Sequence, residues 1–471
     1  RSGAAEGGAR AQARAAAGGR GWGGPLLRPG LGRGALGARA AGGAGADAAA
    51  GSGGVAQLAV GLGSLVALDK SLKAAFLSAG IRFPSALCGM FIILTAICAL
   101  SSVDEKAAQR VYDFWEPALQ WVARWLPLFY VPSLVTLPAA LSGIPGADLA
   151  RIGVLMASGV VLSLWVTASL TVFIRSLTNT EVLPPAPVKG QPPFTRAEQV
   201  AAAGTAAASF AVAVAVPSQA LPASVPFFIS ATVGGYLFGS ALPAKVRTFL
   251  HPILTTALVA QAAAFLYGSV TGVGFFGALQ VYLSKGAGPI ASGAGDVLMG
   301  FLGTVILSFG FRLYGQRALL RRHAVEIVGT VVASAAFSLF ATVGLGRLLG
   351  LASQLSLAVA PRSVTVALAL PIGDLLGAGD LSSVTAGAVV ITGLIGANFC
   401  QRLLDSFGFK DPIVRGMSTA ASAHGLGTAA LAAKEPDALP FCALAYALIG
   451  ISASVLATVP AVQAALIALA G

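Results

Sequence analysis

A lone arginine between two prolines is the first residue whose setting suggests chemistry. Arg362 lies in the run Ala360–Thr365 (APRSVT), and apolar residues follow it as far as Pro371. Prolines at both ends of such a run predict a broken helix, whose freed N–H groups favour an anion. A guanidinium at that point can hold a carboxylate through two parallel hydrogen bonds, with Ser363 and Thr365 beside it. The alternative is a loop arginine whose charged end reaches out to water.

A histidine among glycines and hydroxyl residues forms the second candidate cluster. The segment holds Ser422, His424, Gly425, Gly427 and Thr428 within seven positions. Glycines let a ligand or another stretch of backbone approach closely. A histidine titrates near neutral pH, so His424 is a candidate for proton coupling. A hydrogen-bonded core histidine is the alternative reading.

Two further polar residues stand in apolar surroundings. Asp296 follows Gly295 at the start of the apolar run 293–313. It can cap a helix or take part in proton coupling, and the sequence leaves both roles open. Asn398 is surrounded by apolar residues, where an amide can bind substrate or join two helices by a hydrogen bond.

The elements that must position these residues are membrane helices. Of the 471 residues, 56% are hydrophobic and only 10% are charged, and the mean hydropathy is +0.82. Soluble domains carry about 25% charged residues. Apolar segments recur from Val55 onward, and we predict an all-α, polytopic membrane protein of about 12 transmembrane helices, some of them discontinuous. The second half is expected to be an inverted-repeat transporter domain.

The net charge of +12 is not arranged for nucleic acid. Residues 1–53 hold seven arginines and two acidic residues, and the remaining basic residues are scattered singly along loops. No basic stripe interleaved with aromatic residues occurs, so we predict no nucleic-acid partner. The arginine-rich, acid-poor composition of 1–53 predicts a disordered targeting segment like a transit peptide. A low-complexity tail is the alternative.

The known motifs of several enzyme classes are missing from the sequence. It has no phosphate loop, no His-Glu-x-x-His zinc motif and no Gly-x-Ser-x-Gly nucleophile turn. The four cysteines show no CxxC spacing, so we expect no metal site and no cofactor. A membrane hydrolase that uses Ser422 or Ser418 with the neighbouring histidine is a remaining alternative. We therefore predict that the protein is a transporter rather than an enzyme.

The polar, proline-rich segment 175–197 predicts a linker outside the membrane. It divides a first membrane domain, 54–174, from a larger domain, 198–471.

Four segments of the larger domain resemble the LrgB/CidB-type membrane family: Ala360–Thr365, Ile391–Asn398, Asp411–Gly416 and Ala421–Thr428. Phe129–Ser133 resembles the companion LrgA/CidA-type segment of the first domain. The two halves are usually separate holin-like proteins in bacteria. Their fusion behind a transit-like segment is similar to the plastidal members of plants and algae.

The resemblance implies a secondary transporter that exchanges glycolate and glycerate across the chloroplast inner envelope membrane in photorespiration. The residues of the two clusters and Asn398 are the predicted substrate-binding residues, and proton coupling through His424 or Asp296 is left open. The implied partners are small monocarboxylates and the lipid bilayer, with a homo-oligomer open. The rival is a holin-like pore or permeability regulator, which would show neither saturation nor counter-exchange.

Overall fold

The computed structural model of the protein describes residues 52–81, 83–178, 180, 194–216, 220–247, 250–284, 292–432 and 435–471. The targeting segment expected at 1–53 lies outside these ranges except for its last two residues, and most of the expected linker, 181–193, lies outside them as well. Helix α5 ends at Thr178 and helix α6 begins at Arg196. The residues 52–471 form one compact unit.

Every regular element of the described ranges is helical. The helices are α1 (Ser52–Ser78), α2 (Ser85–Val103), α3 (Glu105–Val135), α4 (Leu137–Leu141), α5 (Gly146–Thr178), α6 (Arg196–Ala215), α7 (Ala220–Ala241), α8 (Ala244–Arg247), α9 (Pro252–Thr271), α10 (Gly274–Tyr282), α11 (Ala294–Met299), α12 (Leu302–Gly315), α13 (Arg317–Arg322), α14 (Ala324–Leu348), α15 (Ser353–Val359), α16 (Val366–Leu375), α17 (Ser382–Ser406), α18 (Pro412–Ala432), α19 (Leu439–Thr458) and α20 (Pro460–Ala470). A 3-10 turn, Gly379–Leu381, precedes α17.

Nine helices of the described ranges are long and apolar enough to cross a membrane, with α11 and α12 counted together. Large apolar side chains point away from the protein along these helices. Phe173 on α5 and Phe265 on α9 are 61% and 64% exposed. Exposed apolar surface of this extent fits contact with lipid. The prediction of an all-helical membrane protein is confirmed.

Local capping fixes where several helices begin. The Thr195 hydroxyl accepts the Glu198 N–H at 3.2 Å, and Glu198 Oε2 accepts the Thr195 N–H at 2.7 Å, so α6 starts with a complete capping box. Glu198 also pairs with Arg124 of α3 at 3.1 Å. The start of α6 is therefore held against the first membrane domain.

Ion pairs and polar contacts define the two ends of the helix bundle. Arg175, near the end of α5, lies 3.9 Å from Glu326 at the start of α14 and 3.0 Å from Asp411 before α18. Arg151, near the start of α5, donates to the carbonyl of Gly350 just after α14. Helices α5 and α14 are therefore antiparallel. We call the two ends the Glu326 end and the Arg151 end.

Helices α15 and α16 form a hairpin that starts from the Arg151 end. Thr385, near the start of α17, donates to the carbonyl of Ala358 on α15 at 2.8 Å. A Cβ at Gly373 on α16 would lie 3.4 Å from the same hydroxyl oxygen. Both arms of the hairpin therefore lie beside the start of α17, and the tip between them is 360–365. The broken helix predicted around Arg362 is therefore the α15–α16 hairpin, with Arg362 at its tip.

Helix α18 reverses direction at His424 and forms a second hairpin, from the Glu326 end. His424 has φ 40° and ψ −135°, and it is the only non-glycine residue of the described ranges with a positive φ. Arg415 Nη2 lies 2.5 Å from Glu435 Oε1, although these positions would be about 30 Å apart in a straight helix. A Cβ at Gly427 would come within 2.7 Å of Thr419 Cγ2. The two arms are therefore antiparallel.

Helix α5 of the first half belongs to the same packed core as the second half. It contacts α14, α17 and α18. Its buried residues, such as Leu164 and Ala168, share a cluster with Cys400 of α17 and Ala423 of α18. The first half therefore supplies part of the wall around both hairpins.

Candidate functional site

The two hairpin tips face a common cavity of about 710 Å³. Thr365, at the tip of the α15–α16 hairpin, and His424, at the turn of α18, both line it. Gly425 and Thr428 line it as well, so four of the residues predicted from the sequence come together there. The other walls come from α3, α7, α8, α9, α12, α17 and α19. A cavity of this size suits a small ligand.

The start of α16 forms part of the cavity wall. Thr365 is the N-cap residue, and Val366 and Ala367 are the first two helical residues. The N–H groups at the start of a helix have no partner within the helix and attract an anion. The hydroxyl oxygen of Thr365 is buried and has no hydrogen-bond partner in the described part of the chain. Unpaired hydrogen-bond donors therefore border the cavity, as expected for the broken helix that the sequence predicts.

The turn at His424 depends on two glycines of α17. His424 Nε2 lies 2.9 Å from the carbonyl oxygen of Val389. Because a carbonyl only accepts, Nε2 carries a hydrogen and donates it. A Cβ at Gly393 would come within 2.6 Å of the imidazole, and one at Gly396 within 2.4 Å of Ala423 Cβ. These glycines let the turn of α18 approach α17, which explains their place in the Ile391–Asn398 segment.

Two arginines that the sequence did not single out give the cavity its charge. Arg312 on α12 and Arg247 on α8 line it, and no carboxylate is among its described lining residues. Arg312 Nη1 lies 3.5 Å from the hydroxyl of Tyr446. A positive charge without a carboxylate partner favours an anionic ligand. One signal could have found Arg312: it is a lone cation in the apolar run of α12.

Arg362 lies behind the cavity wall rather than in it. Its side chain is 1% exposed and packs between α5 and α14. The Nε atom donates to Thr342 Oγ1 and Nη2 donates to Ser163 Oγ, each at 3.0 Å. The Nη1 atom has no hydrogen-bond partner in the described part of the chain. A Cβ at Gly159 on α5 would come within 2.5 Å of the guanidinium, so a glycine is needed there.

Four other predicted binding residues, Ser422 among them, also lie outside the cavity lining. Ser363 Oγ is 2.6 Å from Ser338 Oγ of α14. Asn398 Nδ2 donates to the carbonyl of Leu394 in its own helix. Gly427 packs inside the α18 hairpin. In this conformation these residues support the walls of the site.

Asp296 acts as a cap in this structure. Its Oδ2 accepts the N–H of Gly293 at 2.9 Å and the N–H of Ser284 at 2.9 Å. It thereby joins the start of α11 to the chain that follows α10. Of the two roles left open by the sequence, capping has direct geometric support, and a coupling role stays a prediction.

The serines considered for a hydrolase do not pair with the histidine. Ser418 donates to the carbonyl of Val414 at 2.6 Å. The Ser422 hydroxyl is fully buried and has no partner in the described part of the chain. His424 Nε2 is occupied by Val389. The serine–histidine contact that nucleophilic catalysis requires is therefore not formed.

His251, at the cavity edge, makes a testable contribution to stability. Its Nδ1 accepts the Ile253 N–H at 3.3 Å and caps α9. Burial, assisted by the Arg247 charge, lowers the pKa of His251 from 6.5 to about 4. The unfolded chain takes up a proton near pH 6.5, whereas the folded protein keeps the neutral form. The stabilisation that the neutral His251 gives to the folded protein is complete above pH 6.5 and is lost as the pH falls toward 4.

We therefore expect the unfolding temperature in detergent to fall between pH 6.5 and 4. His251→Asn keeps an acceptor for the cap but does not titrate, so its unfolding temperature should fall less over that range. Equal falls for the wild type and the variant would contradict the assignment.

Long apolar helices and two hairpins that meet at a cationic cavity are features of membrane transport proteins. Residues 232–462 match the LrgB-like family. The chain is 47% identical over 420 residues to plastidal glycolate/glycerate translocator 1, chloroplastic, of Arabidopsis thaliana. That alignment covers 88% of this chain and 81% of the relative. The chain belongs to the LrgB-like family. No solved structure gave a significant match.

Proposed function

We propose that the protein is a secondary transporter that exchanges glycolate and glycerate across the chloroplast inner envelope membrane. The observation that carries the proposal is the cavity between the hairpin tips, which two arginines and the start of α16 border without a lining carboxylate. Glycolate and glycerate are small hydroxyacid anions. The name of the Arabidopsis relative supports these substrates and the plastid location.

The substrate carboxylate binds Arg312 and the free N–H groups at the start of α16. Arg312 offers parallel donors to both carboxylate oxygens. The hydroxyl groups of Thr365 and Thr428 line the same cavity and can bond the substrate hydroxyl groups. His424 and Gly425 shape the opposite wall, and His424 remains a candidate for carrying a proton during exchange.

Arg362 takes part in a second conformation of the carrier. The described cavity is bordered by Gln316 and Leu439, which lie toward the Glu326 end. Alternating access requires a state that opens toward the Arg151 end, where the α15–α16 hairpin starts. Movement of this hairpin would bring the free Nη1 of Arg362 to the substrate. Ser363, on the same tip, would move with it.

The chain has about 12 spans arranged as an inverted repeat in its larger half. Beyond the nine helices described above, α3 and α7 have 31 and 22 residues and are long enough to span as well, and α18 adds a hairpin that enters from the Glu326 end. Two stretches support the repeat: α9 to α12 and α14 to α17 each hold two short helices between two longer ones. Residues 54–174 form the LrgA/CidA-like domain and 198–471 the transport domain, with 175–197 outside the membrane and 1–53 as the transit peptide.

Reconstitution of the full chain in liposomes tests the function. Labelled glycolate uptake should saturate with concentration and should rise severalfold when the liposomes are loaded with glycerate. Liposomes loaded with glycerol, an uncharged analogue, serve as the control. Uptake that neither saturates nor responds to loaded glycerate would identify a pore and would overturn the proposal.

A further inference from the structure

A buried histidine–glutamate pair lies away from the substrate cavity. His323 precedes α14 and Glu326 is in its first turn, and each side chain is 1% exposed. His323 Nδ1 lies 3.7 Å from Glu326 Oε1. Ionisable groups buried at this depth in a membrane protein need partners and mark functional sites. The transport cavity uses neither residue.

Hydroxyl groups from the chain that follows α5 link the pair. Thr178 Oγ1 donates to Glu326 Oε1 at 2.9 Å. Thr180 Oγ1 makes a close hydrogen bond to the same oxygen and also lies 2.9 Å from His323 Nδ1. A hydroxyl has one hydrogen, so Thr180 donates to Glu326 and accepts from His323 Nδ1–H. The neutral imidazole then has Nε2 available for a second proton.

The pair shares one guanidinium with a second carboxylate. Arg175 of α5 lies 3.9 Å from Glu326 and 3.0 Å from Asp411, so one guanidinium serves two carboxylates. Arg322, next to His323 in the chain, adds an exposed positive charge nearby. Burial lowers the pKa of His323, and the Glu326 carboxylate partly opposes that shift. Arg175 and Arg322 thus balance Glu326 and Asp411 while His323 is neutral, and a proton that enters the group changes its net charge.

The pair touches the moving parts of the proposed transporter. Asp411, which competes for Arg175, directly precedes the α18 hairpin that carries His424. The ring of His323 packs edge-on against Phe441 of α19 with centroids 5.3 Å apart. Helix α19 also supplies Tyr446 to the cavity. A change of charge at Glu326 would therefore act on the helices that shape the substrate site.

We propose that the His323–Glu326 pair is the proton-binding site that couples substrate transport to the proton gradient, an inference that rests on the proposed function. A proton from the aqueous side binds His323 Nε2, and the Nδ1–H bond breaks as its proton passes to Thr180 Oγ. The hydroxyl proton passes in turn to Glu326 Oε1. The net result is a neutral Glu326 and a neutral His323 with its hydrogen on Nε2.

Protonation of Glu326 removes one of the two carboxylates that hold Arg175. Arg175 then pairs with Asp411 alone, so the ionic link between α5 and α14 is lost while the link between α5 and the start of α18 is strengthened. The charge state of Glu326 thereby selects which helix is tied to α5. Such a choice between two arrangements is what coupling to a conformational change requires.

The test uses the full chain in liposomes with an imposed pH gradient. Wild-type protein with an alkaline interior should accumulate labelled glycolate without loaded glycerate, up to about tenfold per pH unit for one coupled proton. Glu326→Gln keeps the shape of the side chain and cannot take up the proton. We expect it to show no accumulation, with exchange at equal pH within about twofold of wild type. Thr180→Val should reduce the initial rate of the gradient-driven uptake.

The matched control is Asp405→Asn. Asp405 is 68% exposed and pairs with Arg415 at the same end of the bundle, so removal of its charge should leave accumulation intact. Full accumulation by Glu326→Gln would overturn the inference. Accumulation that depends on His424 and not on Glu326 would also overturn it. The steady-state ratio of internal to external glycolate distinguishes a loss of coupling from a slower rate of transport.

A second measurement reports on the site without transport. The infrared band of a protonated carboxylic acid should grow as the pH of the reconstituted protein is lowered, and Glu326→Gln should lack the part of this growth that Glu326 contributes. An identical band in the variant would overturn the proton site. Wild-type protein that shows the band but exchanges no glycolate for glycerate would refute the proposed function while the proton site stood.

Discussion

Replacement of Arg312 by glutamine is expected to weaken the apparent affinity for glycolate by about ten- to a hundredfold. Arg312 lines the cavity between the hairpin tips, and no carboxylate is among the described lining residues. A charge-assisted pair with the substrate carboxylate contributes about 1.5–3 kcal/mol, which the amide cannot replace. Arg312→Lys should retain part of the affinity, because it keeps the charge and loses the parallel donors. Concentration-dependent uptake into liposomes measures both variants.

Arg317→Gln is the control for removal of a positive charge near the same helix end. Arg317 begins α13, pairs with Glu105 at 3.1 Å and packs over the ring of Tyr314. It does not border the described cavity. Its affinity for glycolate should remain within about twofold of wild type, as expected for a surface ion pair. An Arg312→Gln variant that retained wild-type affinity would remove Arg312 from the binding site.

The residues at the two hairpin tips were predictable from the sequence because helix breaks leave local signs. Prolines around Arg362 and glycines around His424 interrupt runs that are otherwise apolar. These signs lie within a few residues of the break. Thr365, His424, Gly425 and Thr428 were selected for this reason, and all four line the cavity. Whether they bind substrate remains a prediction.

The sequence did not indicate which residues at the tip of the α15–α16 hairpin face the cavity. Arg362 and Thr365 are three residues apart, yet Thr365 borders the cavity and Arg362 points between α5 and α14. Hydropathy indicates that a cation is inside the protein, but it does not indicate toward which neighbour the side chain turns. That direction is set by Ser163 and by the space at Gly159, which come from the first half of the chain.

The cavity arginines escaped the sequence reasoning because distant segments assemble the cavity. Arg247 and Arg312 are 65 positions apart and lie far from both tips in the sequence. Arg247 is the last residue of α8 and Arg312 lies in the last turn of α12, where a basic residue is ordinary. Only the packing of α8 and α12 around the hairpins gives these two residues a common role. The reversal of α18 was also missed: the glycines mark a break near His424, but they do not indicate that the chain turns back on itself there.

Gly393→Ala is expected to lower the unfolding free energy by about 1–3 kcal/mol and to reduce transport at least tenfold. The added Cβ would lie 2.6 Å from two atoms of the His424 ring and 2.7 Å from Leu426 Cδ1. His424 cannot turn away without cost, because its backbone already has φ 40° and its Nε2 bonds Val389. The α18 turn must move away from α17, which displaces Gly425 and Thr428 in the cavity wall.

The double variant Gly393→Ala/His424→Ala separates packing from function. Removal of the ring leaves room for the new methyl group, so stability should return in part relative to Gly393→Ala. Transport should stay low, because the imidazole at the cavity wall is absent. Gly153→Ala on α5, where a Cβ meets nothing within 4 Å, is the control for the substitution itself and should behave as wild type. Unfolding in detergent and glycolate uptake in liposomes give the two readings. Wild-type transport by Gly393→Ala would mean that the turn at His424 does not shape the substrate site.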